Sequence, residues 1–127
     1  AIKQTLLHGR VAAMPAWIDA LGEDGVKEVT AYVLSLSGRT VYQKDAAAGQ
    51  TKFAMCAACH GMDGKGNYAF GAPNLTDNVW LYGGSQRAVE ETLRNGRAGV
   101  MPAWKDILGE DKVHILTAYV YSLSQDK

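Results

Sequence analysis

Histidine and cysteine are scarce in this chain: three of the one and two of the other among 127 residues. A zinc centre of about four ligands is poorly supplied by such a set. Net charge is absent too, since 13 basic residues balance 13 acidic ones. With no long run of either sign, the chain offers little to nucleic acid or to an anionic membrane surface. No apolar stretch approaches the ~20 residues of a membrane span, and no signal-peptide pattern is present. Any export signal or anchor is therefore expected upstream of Ala1. What is there is an apolar fraction of 47% and a charged fraction of 20%, the composition of a soluble globular chain. Its length suits one compact domain.

The phrase Met-Pro-Ala-Trp occurs twice, at Met14–Trp17 and Met101–Trp104. Aligning residues 5–37 with 92–124 gives 21 identities in 33 positions. A period of 87 residues with two copies reads as duplication of a whole small domain, not as a solenoid array. The first copy begins in mid-pattern, and nothing precedes it that corresponds to residues 39–87. The expected organisation is the C-terminal part of one domain at 1–38, followed by a complete domain at 39–127. Gly38-Arg39-Thr40 is the expected join.

Helical spacing dominates. In 110–124, Val113, Leu116, Val120 and Leu123 share one helix face, and Glu110 and Asp111 favour its first turn. The first copy repeats this with Glu23, Asp24, Val26, Val29, Val33 and Leu36. Ser85 is the predicted cap of a second helix that Asn95-Gly96 stops. A third is expected from near Asp45 toward Cys56. Its Gly49 and Phe53 lie four apart on one face, where another helix could approach closely. Residues 61–84 hold six glycines and Pro73, which predicts a long loop wrapped around something.

Cys56-Ala57-Ala58-Cys59-His60 is the attachment pattern for c-type haem. Two thiols at this spacing reach the two vinyl groups of one porphyrin, and the adjacent imidazole falls on one face of the iron. A redox dithiol, a structural disulfide or half of a zinc site are the alternatives. The first needs a βαβ context, which is not seen here. Met101 points to haem. Pro102 after it disfavours a helix and favours an extended loop, which can lay a thioether across the second face. Thioether ligation favours reduced iron and raises its potential. Met55 and Met62 read as packing residues, and His8 and His114 as surface residues.

Together these features resemble a class I cytochrome c. That resemblance implies an all-α fold around one covalent haem c, with His60 and Met101 as the iron ligands. It also implies that Leu116 and Tyr119 are the C-terminal helix partners of Gly49 and Phe53. In Gly71-Ala72-Pro73-Asn74-Leu75, it implies that the Pro73 carbonyl orients His60. Asn74, Leu75 and Pro102 are implied to line the haem. Arg97, Trp80 and Tyr82 are candidates for the propionates, because each carries an N–H or O–H near a loop expected to frame them. The run Gly71–Gly84, the Asn95–Trp104 loop and the duplication resemble, more narrowly, the dihaem subunit III of cbb3-type cytochrome c oxidases. That family carries a membrane anchor and a further attachment motif, so the chain is expected to be a soluble piece of such a subunit.

The function implied is one-electron transfer, relaying electrons from soluble donor cytochromes c in the periplasm toward the oxidase's other subunits. The chain by itself is not expected to be an enzyme: three histidines cannot build a haem–copper centre. A free-standing monohaem carrier, a haem-based gas sensor and a thiol–disulfide protein are the rivals. Residues 1–38 raise a separate expectation. Two near-copies of one helix cannot share the Gly49/Phe53 groove, so this segment is expected to pack on a neighbouring molecule, in a domain-swapped homodimer. Folding back on the outside of its own domain is the alternative.

Overall fold

The structure is a computed structural model that describes residues 2–125. Its order is α1 (Ile2–His8), β1 (Arg10–Met14), α2 (Ile18–Leu36), α3 (Gln43–Lys52), α4 (Ala54–His60), α5 (Gln86–Asn95), β2 (Arg97–Met101), α6 (Lys105–Leu108) and α7 (Glu110–Leu123). The fold is mostly helical, as expected. Weak strand alternation hid one small exception, a two-stranded sheet of β1 and β2.

Local sequence explains most boundaries. Ser85 caps α5, its hydroxyl accepting the Ala88 N–H at 3.1 Å, and Gly96 ends the helix at φ 72°. The helix expected from Asp45 starts two residues earlier and is divided at Phe53 into α3 and α4. The long loop contains one 3-10 turn at Tyr68–Phe70. The duplication is visible turn by turn. Gly22 kinks α2 at φ 72°, and its counterpart Gly109 separates α6 from α7 at φ 81°. Arg10 Nε donates to Thr5 Oγ1 at 3.0 Å, and Arg97 Nε to Thr92 Oγ1 at 3.0 Å.

The chain divides into two compact units. One unit is Ala13–Arg97; the other joins the chain up to Ala12 with the chain from Ala98 onward. The expected boundary marks where one copy ends in sequence. The division falls within β1, between Ala12 and Ala13, and within β2, between Arg97 and Ala98.

Unit Ala13–Arg97 has its core in Val26, Val29, Val33, Leu34, Phe53, Cys56, Leu75, Val89 and Leu93. Here α2 lies on α3 and α5. Val26 and Val29 are fully buried, each representing about 1.5–3 kcal/mol of apolar burial. Gly49 makes the approach possible. A Cβ there would run into the Glu28 carbonyl and lie 2.9 Å from the Val29 nitrogen. Beside it the Tyr32 and Phe53 rings meet with centroids 5.1 Å apart. The implied partners of Gly49 and Phe53, Leu116 and Tyr119, are therefore replaced by their repeat-mates Val29 and Tyr32. The groove is filled by residues of the 1–38 segment from the same chain, where packing on a neighbouring molecule was expected. The short link of residues 37–42 between α2 and α3 lets the hairpin close at low entropic cost.

In the other unit α1 packs on α7 and α6. Leu6 and Val113 are buried, and Trp104 N–H donates to the Leu6 carbonyl at 2.8 Å. The rest of the α7 stripe is more open than its α2 counterpart, with Val120 36% and Leu123 53% exposed.

Candidate functional site

Cys56, Cys59 and His60 share α4, whose single tight turn brings the two thiols and the imidazole close together in sequence and space. Cys56 is buried and Cys59 exposed. Burial pushes the Cys56 thiol's pKa up, and the nearby Cys59 adds to the shift. His60 is buried, and its Nδ1 lies 3.1 Å from the Pro73 carbonyl. A proline carbonyl can only accept, so Nδ1 is the donor. That tautomer leaves the Nε2 lone pair for a metal.

The loop after α4 is folded to hold this bond. Gly66 N–H donates to the His60 carbonyl at 2.7 Å, and Leu75 N–H to Gly64 at 2.7 Å. Gly66, at φ +90°, sits so close that a Cβ would lie 2.7 Å from the Pro73 carbonyl carbon. Asn74 Oδ1 accepts from Thr76 N–H at 2.8 Å and from its hydroxyl at 2.6 Å, fixing the turn after Pro73. Leu75 is buried beneath it.

Trp80 and Thr30 carry the buried side-chain polar atoms that find no partner among the described residues: Trp80 Nε1 and Thr30 Oγ1. An orphaned donor at this depth is costly unless something accepts from it. Arg97 lies over the Tyr82 ring, 4.4 Å from its centroid. Cys56, Cys59, His60, Pro73, Asn74, Leu75, Trp80, Tyr82 and Arg97 all belong to Ala13–Arg97. Met101 and Pro102 belong to the other unit. Met14, in the first copy of Met-Pro-Ala-Trp, is half-buried and packs against the core cluster that includes Cys56. Met55 and Met62, expected to pack, are 40% and 81% exposed. His8 and His114 are exposed, as expected.

These residues fit a haem. The two thiols and the imidazole lie on one short helix, the imidazole is held by the Pro73 carbonyl, and the Trp80 N–H is buried without a partner among the described residues. Among the described residues no group of three or more His, Cys, Asp or Glu is disposed to hold a bare metal ion. No helix among them is long and apolar enough to cross a membrane.

Comparison with known proteins agrees. The family described as cytochrome c oxidase, cbb3-type, subunit III matches residues 37–120. The chain is 47% identical over 125 residues to the cbb3-type cytochrome c oxidase subunit CcoP of Rubrivivax gelatinosus, spanning 98% of this chain and 41% of that protein. It is 46% identical over 138 residues to the FixP subunit of Bradyrhizobium sp. (strain ORS 278), spanning 99% and 48%. The CcoP subunit of Rhodobacter capsulatus is 46% identical over 123 residues, 89% of this chain and 41% of the relative. The chain thus spans less than half the length of these relatives. It belongs to the cbb3-type cytochrome c oxidase subunit III family and carries a cytochrome c domain of that family.

Proposed function

We propose that the chain is a one-electron relay that holds one haem c through thioether bonds from Cys56 and Cys59. When bound, the haem supplies an iron that alternates between ferrous and ferric states. His60 donates its Nε2 lone pair to one face, and the Pro73 carbonyl fixes its ring and tautomer. A thioether from a Met-Pro-Ala-Trp loop serves the other face. Repeat order supports Met101 for that place, with Pro102 keeping its loop extended; Met14, half-buried against the core cluster, is the other candidate. Trp80 donates to a propionate, with Arg97 and Tyr82 beside it. Held by two side chains, such a haem would supply electron transfer without binding a substrate at iron.

The partners that fit are the other subunits of a cbb3-type oxidase as acceptors and soluble cytochromes c as donors, on the periplasmic side. Oxygen reduction belongs to another subunit, and this domain is the electron-transfer part. The observation that carries the reading is the buried His60 bonded to Pro73 at 3.1 Å beside the paired cysteines. Ultraviolet–visible spectra with and without dithionite test it. A sharp low-spin spectrum on reduction, with little response to carbon monoxide, is the expected result. Ready carbon monoxide binding would support the gas sensor instead, and two free thiols with no haem spectrum the thiol–disulfide protein.

A further inference from the structure

Trp80 packs on the core of its unit with its indole N–H buried and unpartnered among the described residues. Burial of an unpaired donor opposes that placement, and its chain neighbours do little to hold it there. Val79 and Leu81 are 78% and 87% exposed. The restraint comes from further along the segment. Gly83 N–H donates to the Trp80 carbonyl at 3.3 Å, turning the chain back on itself. Gly84 then lies against the indole, where a Cβ would stand 2.6 Å from Trp80 Cδ1 and 2.8 Å from Cγ. Cδ1 is the ring carbon bonded to Nε1, so Gly84 backs the part of the ring that carries the orphaned donor.

Arg39 grips that glycine. Its Nη1 donates to the Gly84 carbonyl, and its Nη2 would lie 2.8 Å from the same Cβ. Arg39 is fixed in turn to the end of α2, since its backbone N–H donates to the Leu34 carbonyl at 3.2 Å. Among the described residues no carboxylate pairs with its guanidinium. A charged donor on a carbonyl is among the stronger hydrogen bonds, and this one ties the link between α2 and α3 to the start of α5.

We infer that Arg39 is a positioning residue for Trp80. By holding Gly84 against the indole, it keeps the Trp80 N–H turned inward for a carboxylate of the bound haem. The inference rests on the haem reading above and adds the residue that fixes its donor. Arg39 acts from the repeat boundary, through a backbone carbonyl and a ring, without touching the haem itself.

The test uses the full chain with its haem attached and reduced, and reads solvent exchange of the three indole N–H protons by nuclear magnetic resonance. Trp17 and Trp104 serve as internal references. Arg39→Ala is expected to speed exchange at Trp80 about tenfold, the worth of one hydrogen bond, and to leave the other two unchanged. Arg39→Lys, which keeps a charged donor, is expected to restore most of the protection. The reduction potential separates positioning from simple charge. Arg39→Ala is expected to lower it in the unsubstituted chain, but to add nothing to Trp80→Phe, because the two residues act as one unit. Equal shifts in both backgrounds overturn the positioning role and leave the haem reading in place. Undisturbed exchange at Trp80, or faster exchange at all three indoles, does the same. A chain with no haem spectrum overturns the haem reading itself, and the role of Arg39 with it.

Discussion

The Trp17 amide donates to the Leu93 carbonyl across 2.8 Å, tying the first methionine loop to the last turn of α5. Gly96, the next-but-one residue after that turn's Arg94, completes the seat at φ 72° with no room for a side chain. Gly96→Ala combines a left-handed backbone with a collision against the Met14 carbonyl. It is expected to cost about 2–4 kcal/mol of stability, read as a lower denaturation midpoint. A cost below about 0.5 kcal/mol would mean the loop is not seated there.

Gly49→Ala probes the helix crossing. The added methyl faces the Glu28 carbonyl and the Val29 nitrogen, both main-chain atoms of α2 that cannot rotate away. Overpacking of this kind costs about 1–3 kcal/mol. Loss of the Tyr32–Phe53 ring contact should accompany it, seen as a change in near-ultraviolet circular dichroism.

The Lys52–Glu28 pair is partly exposed, with side-chain exposures of 39% and 20%. Solvent screening limits its contribution to about 0.2–1 kcal/mol. Lys52→Ala should therefore lower stability slightly, and less so at 1 M salt, where the screening length falls to about 3 Å. Gly25→Lys should cost more than the loss of the pair. It introduces both a charge that repels Lys52 and a side chain at a buried position.

Cys56 and Cys59 should differ in reactivity before haem attachment. Burial and the neighbouring thiol hold the Cys56 pKa above its ordinary value of 9.0, while Cys59 is exposed. Alkylation of the haem-free chain, followed by mass spectrometry of its peptides, should label Cys59 first. The folded state keeps its Cys56 proton longer than the unfolded chain does. The linked stability is thus present below the unfolded pKa and is lost as pH rises from about 9. Cys56→Ser should flatten that alkaline decline.

Trp80→Phe removes the orphaned indole N–H. In the haem-free chain the loss of an unsatisfied buried donor is expected to leave stability unchanged or raise it. In the haem-loaded chain, a propionate accepting from that donor would make the same change cost about 1.5–3 kcal/mol. Thermal unfolding of both forms supplies the comparison. Equal effects in the two would remove Trp80 from the haem site.

Much of the site was legible because its signals are local. A pair of cysteines with a histidine beside it, a serine before an amphipathic run and a glycine after one each act within a single turn. So do the glycines that fold residues 61–75 back on His60. The role of Trp80 was less legible, since an unpaired donor is defined by what fails to reach it in space. Met55 and Met62 were misread because apolarity beside a motif says nothing about which side of a helix or loop faces solvent.

The sequence by itself determined that the chain holds one haem-attachment half and two near-identical methionine-loop halves, and where α5 starts and stops. Those features come from periodicity, capping and backbone freedom, which short stretches carry. It did not determine which of the two amphipathic copies lies on α3. Both copies offer the same Met-Pro-Ala-Trp phrase and nearly the same apolar stripe, so pattern alone cannot rank them. Tertiary packing ranked them, through the few positions where they differ. Gly25 and Glu28 accommodate and pair with Lys52, where their α7 counterparts Lys112 and Ile115 would repel it or leave it unpaired. The short connection from α2 to α3 lets the first copy reach the groove at low entropic cost.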